Sequence, residues 1–175
     1  MKADDRAAHV ETALAALDAR FDYDAARRSL RIEYSVKNSG DAPLMTLDRG
    51  VAVGGKTAAA MAGTSAAPLG KQDGDALTLS HVALALPKPA PTVPRVALAA
   101  RIERGATHVS RFETEVPATA RRVRYCLGVA PFSDDAFSPA SAGDAAWRAS
   151  FTVADMQTLL CTPWFDVTEG RFLRD

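Results

Sequence analysis

The chain has 175 residues, 47% hydrophobic and 24% charged, which is enough apolar material for a buried core and excludes wholesale disorder. Lysine plus arginine balance aspartate plus glutamate at 21 each, so no global field draws the protein to nucleic acid or an anionic membrane. No run approaches the roughly 18–20 apolar residues that span a bilayer, and one domain over 1–175 is the expected organisation.

The opening MKADDRAAHVETALAALDAR places Asp4 and Asp5 where a signal peptide carries positive charge. Taken as it stands the chain is cytoplasmic; a leader removed before Met1 would place it in the cell envelope or periplasm. Residues 1–14 read as a lead-in, either a short amphipathic helix or disordered. From about residue 15, Leu17, Ala19, Phe21 and Tyr23 alternate with Asp18, Arg20 and Asp22 as one strand.

In SLRIEYSVKNSG, Leu30, Ile32, Tyr34 and Val36 share one side and Arg31, Glu33, Ser35 and Lys37 the other, the period of a strand with one wet face. Asn38-Ser39-Gly40-Asp41 supplies the turn. Further strands are expected at 42–48, at 76–86 up to the prolines of 87–94, across RVALAARIERG, HVSRFETEV and RVRYCLGVA, and at 147–153. Two stretches, 49–75 and 131–145, read as long loops. After Thr152, ADMQTLLC suggests one or two helical turns with Met156, Leu159 and Leu160 inward, and PWFDV would tuck Trp164 and Phe165 onto the body.

About eight strands with short connections predict an all-β fold, an antiparallel β-sandwich of immunoglobulin-like type with a short C-terminal helical turn. The stretch LRIEYSVKNSGDAPLMTLDRG resembles bacterial immunoglobulin-like modules, in which an alternating strand ends in Asn-x-Gly and Pro-Leu restarts the next. Adhesins, envelope accessory proteins and small protease inhibitors share that feature, so the resemblance implies an architecture and no single family.

The stretch 50–57, with Gly50, Gly55, Lys56 and Thr57, has the spacing G-x-x-x-x-G-K-[ST] of a phosphate-binding loop. Its setting is wrong. Thr46-Leu47-Asp48-Arg49 is no apolar run, Asp48 would set a carboxylate near the phosphates, and AAAMAG is too short for the following helix. His9, His81 and His108 lack metal-ligand spacing, and His81 falls mid-strand as a structural histidine. Asp134-Asp135 reads as a solvated turn. The seven arginines of 95–124 read as a wet strand face without the interleaved aromatics of a single-strand binder. Cys126 and Cys161 are a candidate disulfide tying the C-terminal segment to the sheet, with two buried thiols as the alternative.

No converged catalytic or cofactor set appears. The reading is therefore a non-enzymatic binding or accessory domain engaging a protein partner through the loops or an edge strand. A nucleotide-binding protein using Gly50 to Thr57 is the alternative, and a protease-inhibitor-like sandwich the second.

Overall fold

Residues 4–54, 56–140 and 145–174 are described by the structure, a computed structural model of the chain. β1 (Ala7–Glu11), β2 (Ala15–Asp24) and β3 (Ser29–Asn38) form an antiparallel meander. Then come β4 (Leu44–Val53), β5 (Lys56–Ala59), β6 (Leu69–Asp73), β7 (Ala76–His81), β8 (Arg95–Ile102), β9 (Thr107–Glu115), β10 (Arg122–Pro131), β11 (Phe137–Pro139) and β12 (Ala146–Ala149). A helical turn, α1 (Val153–Met156), precedes β13 (Thr158–Cys161), β14 (Phe165–Asp166) and β15 (Arg171–Phe172).

The eight expected strands are β2, β3, β4, β7, β8, β9, β10 and β12. β1, β5, β6, β11 and β13 occupy segments expected as lead-in, loop or helix, β14 lies in PWFDV, and β15 lies beyond the expected elements. β1 corrects the helical or disordered lead-in: Ala8 and Val10 lean inward between exposed Ala7, His9 and Glu11, and the ten-residue β2 offers a full edge to pair with. β5 and β6 lie in the expected loop 49–75, and β11 in 131–145, of which residues 141–144 lie outside the described residues. The C-terminal helix is one turn only. From Thr158 the chain is extended, so Leu160 is buried while Met156 and Leu159 are about half exposed, at 49% and 50%.

The strands form two sheets. The first has the order β1-β2-β3-β9, and the second runs β11-β12-β8-β4-β10-β14-β15 with β13 also on β10, β5 on β4, and β7 joining β10 to β6. Every pairing is antiparallel except β7 with β10. That parallel pair is possible because the long connection between them passes through β8 and β9.

Alternation puts Leu17, Phe21, Ile32 and Val36 of the first sheet against Leu79, Val123, Tyr125, Leu127 and Leu160 of the second in one buried core. Two sheets face to face over a shared core make a β-sandwich. Phe165 joins this core, its ring 5.3 Å from Phe21, while Trp164 stays outside with the Arg124 guanidinium stacked 4.6 Å from its centroid. The second sheet is covered on its outer face too: Met45, Leu47, Ala97, Ala99 and Ala130 pack beneath Ala83, Phe137 and Val153. β4 is therefore buried on both sides over its first half, which is why LMTLD carries little alternation.

β10 carries β7 along Arg122–Leu127 and β4 along Val129–Pro131. β13 occupies its opposite edge, so β4 and β7 leave the same edge of β10 and diverge. The register of β4 against β8 shifts between Thr46 and Gly50, and Asp48 sits in that irregularity.

Candidate functional site

Asp48 is fully buried and accepts hydrogen bonds from three side chains. Thr46 Oγ1 donates to its Oδ1 at 3.1 Å, His108 Nε2 meets Oδ2 at 2.8 Å, and the Tyr34 hydroxyl donates to Oδ2. Burial alone would raise its pKa. The hydrogen bond and charge of His108 and the Tyr34 hydroxyl outweigh that and hold the carboxyl below its ordinary range. Burial, reinforced by the Asp48 charge, pushes the Tyr34 hydroxyl well up, so it remains a donor.

Because the Tyr34 proton goes to the carboxylate, Ser65 must donate to Tyr34 (2.5 Å) and Ser110 to Ser65 (2.6 Å). The hydroxyls form one chain polarised toward Asp48. Beside it, His81 Nε2 donates to the Ala66 carbonyl (2.7 Å), and Nδ1 accepts from the Tyr125 hydroxyl (2.6 Å). Burial lowers the His81 pKa against the opposing pull of the Ala66 carbonyl and the Asp48 charge, so the ring is a neutral, doubly bonded structural histidine. No buried side-chain polar atom among the described residues lacks a partner.

The network anchors the segment between β5 and β6 across the edge of β9. Ser65 N–H donates to the Arg111 carbonyl (2.8 Å) and Ala66 N–H to the Asp48 carbonyl (3.1 Å). The Arg49 guanidinium gathers the carbonyls of Ala60 (2.5 Å), Met61 (3.2 Å) and Thr64 (3.2 Å). Serines, a histidine and an aspartate thus meet here without forming a nucleophilic triad. His108 bonds Asp48 and no serine, and the serine protons point along the chain to the carboxylate.

The phosphate-loop stretch takes another form. Gly50 lies within β4 and Lys56 and Thr57 within β5, with Val53 paired to Lys56. Gly54 turns the chain at a φ of 60°, and Gly55 lies outside the described residues. Gly50, at a φ of 125°, passes so close to β5 that a Cβ would stand 2.0 Å from the Ala58 oxygen. No helix begins at Thr57, so the N–H groups and helix dipole that cradle phosphate have no counterpart here. The described residues of this stretch form paired strands and do not lead into a helix. Gly50 and Gly54 serve a hairpin.

Between the anchored segment and residues 82–84 opens a cleft of about 110 Å³ over β4 and β8, with walls that include Leu47, Val51, Leu69, Leu84 and Ala97 and with Arg95 also lining it. Its second wall is fixed by Gln157, whose side chain accepts from Ala83 N–H (2.8 Å) and donates to the Ala83 carbonyl (3.3 Å). Leu69 of its wall is exposed, as are Val53, Met61, Leu86 and Val93 elsewhere in 53–93, Met61 to 80%.

Cys126 and Cys161 are register partners in β10 and β13, with sulfurs 2.16 Å apart, at bonding distance. Asp134 and Asp135 sit exposed in a turn closed by Ala136 N–H on Ser133. Among the described residues no group of three or more His, Cys, Asp and Glu is placed to hold a metal ion. No helix there is long and apolar enough to cross a membrane. Comparison with protein-family models, curated proteins and solved structures finds no match.

Sequence reasoning missed the Asp48 cluster, because its members come from four separated segments and only the fold brings them together.

Proposed function

We propose that the chain is a non-enzymatic binding or accessory domain that engages a protein partner through the region 49–75. The observation that carries this reading is the exposure of Val53, Met61 and Leu69 on a segment tied to Tyr34, Asp48, Arg49 and Arg111 by hydrogen bonds. Apolar side chains kept outside on a fixed backbone gain nothing for folding, and a pre-ordered surface loses little freedom on association. β6 adds a strand exposed along all five residues and, among the described residues, paired with β7 alone, an edge suited to strand addition. The other long connection buries Ala136 and Phe137 in the outer layer, which favours 49–75 as the contact region.

A photo-crosslinking amino acid at Met61, with Glu33 on the outer face of the first sheet as control, tests this in extract of the native host. A discrete product from position 61, absent at 33 and competed by unlabelled protein, is expected. Equal labelling from both positions overturns it. For the nucleotide alternative, calorimetry with ATP and GTP is expected to give no binding heat in either the native chain or Lys56→Ala.

A further inference from the structure

Resting on the binding reading above, we infer that the partner is recognised as an extended acidic segment that places one aliphatic side chain in the cleft beside Ala67. A neighbouring carboxylate of that segment meets Arg95. Size comes first. At about 110 Å³ the space is below the roughly 150 Å³ that holds a benzene molecule in an engineered protein cavity, so it takes one apolar side chain and no larger ligand. The wall chemistry agrees: the lining is aliphatic apart from Ser80, His81 and Arg95, and both ring nitrogens of His81 are already engaged.

Charge decides the rest. Arg95 is the charged residue of the lining, and residues 49–102 hold Arg49, Lys56, Lys71, Lys88, Arg95 and Arg101 against Asp73 and Asp75. In a chain of balanced overall charge, this net-positive stretch favours a negative partner and disfavours a positive one. The same charge would attract nucleic acid, but no aromatic ring other than the occupied His81 lines the cleft to stack a base. Both walls are pinned, one through Ser65 and Ala66 and the other through Gln157, so the cleft stands open before any partner arrives.

The test uses amide chemical shifts of the full chain with acetyl-Glu-Asp-Leu-Asp-Glu amide. Perturbations confined to Ala67, Leu69, Leu84, Arg95 and Ala97 are expected. Ala67→Phe fills the mouth from an exposed position and should weaken binding about tenfold or more, whereas Ala67→Ser leaves it intact. Arg95→Glu should weaken the acidic peptide about threefold to tenfold at low salt and improve binding of the charge-reversed Lys-Arg-Leu-Arg-Lys peptide. The inference is overturned if the peptide with glycine in place of leucine binds equally, or if the native chain prefers the basic peptide. It is equally overturned if a single-stranded oligonucleotide shifts the same amides at lower concentration, if Ala67→Phe has no effect, or if nothing shifts. Crosslinking from Met61 is read separately, so failure of the acidic anchor and failure of the binding reading give different results.

Discussion

Asp48 shows how one buried charge can organise a surface. It satisfies Thr46, Tyr34 and His108 at once, and through Tyr34 it orders Ser65 and the segment that forms a wall of the cleft. Asp48→Asn would turn an amide donor toward groups that already donate. A loss of about 3 kcal/mol in urea unfolding is expected, with new proteolysis between residues 60 and 68. The pH dependence has a defined sign. Folding lowers the His81 pKa, so the unfolded chain binds more protons below about pH 6.5 and stability is present above that value and lost as pH falls. The slope approaches about 1.4 kcal/mol per pH unit for one proton and should flatten in His81→Gln. Asp48 is also depressed in the folded state, so its contribution is present above its unfolded value near 3.8 and lost only at lower pH. Unfolding midpoints between pH 7.5 and 5 separate the two groups. His81 was expected mid-strand in ALTLSHVALAL, but β7 ends on it, and its partners Ala66 and Tyr125 were not legible because neither is near it in sequence.

Strands with one wet and one dry face announced themselves; strands without a dry face did not. β2 and β3 repeat apolar and polar residues over ten positions each, whereas β5 and β6 consist of KTAA and LGKQD and exist because β4 and β7 offer them edges. Gly50, the first glycine of the apparent nucleotide motif, makes sense only with the β4–β5 pairing in view. Gly50→Ala should cost about 2–4 kcal/mol, since the added carbon meets backbone that cannot step aside. Guanidinium denaturation measures it, and a cost under 0.5 kcal/mol would mean the hairpin is not formed as described. At β13 the cysteine expectation was accurate because Cys126 lay on the strand face opposite Val123, Tyr125 and Leu127. With a separation of 35 residues, losing the cross-link in Cys126→Ser/Cys161→Ser should cost roughly 3–4 kcal/mol. Thiol titration of the denatured, unreduced native chain should find none free.

At the scale of the whole molecule, the all-β sandwich was readable because a wet and a dry face per strand leave few other architectures. The outer layer over the second sheet was not. Ala97, Ala99 and Ala130 are too small to mark a buried face, and Phe137 and Val153, which cover it, arrive from β11 and α1, elements too short to show a period. Gln157 belongs to this layer and reaches across to Ala83. Gln157→Ala should therefore cost about 1–2 kcal/mol and speed hydrogen exchange at Ala83 more than at β3, a difference that a purely local effect on α1 would not produce.

The order of sheet pairing bears on how the protein is made. β3 takes β9 as its neighbour, and the intervening strands β4 to β8 belong to the other sheet. During synthesis the first three strands can zip together as they emerge, but one flank of β3 must wait for more than half of the remaining chain. A nascent polypeptide stalled before residue 107 would expose that flank as a sticky template. The growing chain is therefore most vulnerable to aggregation in the interval before β9 is translated.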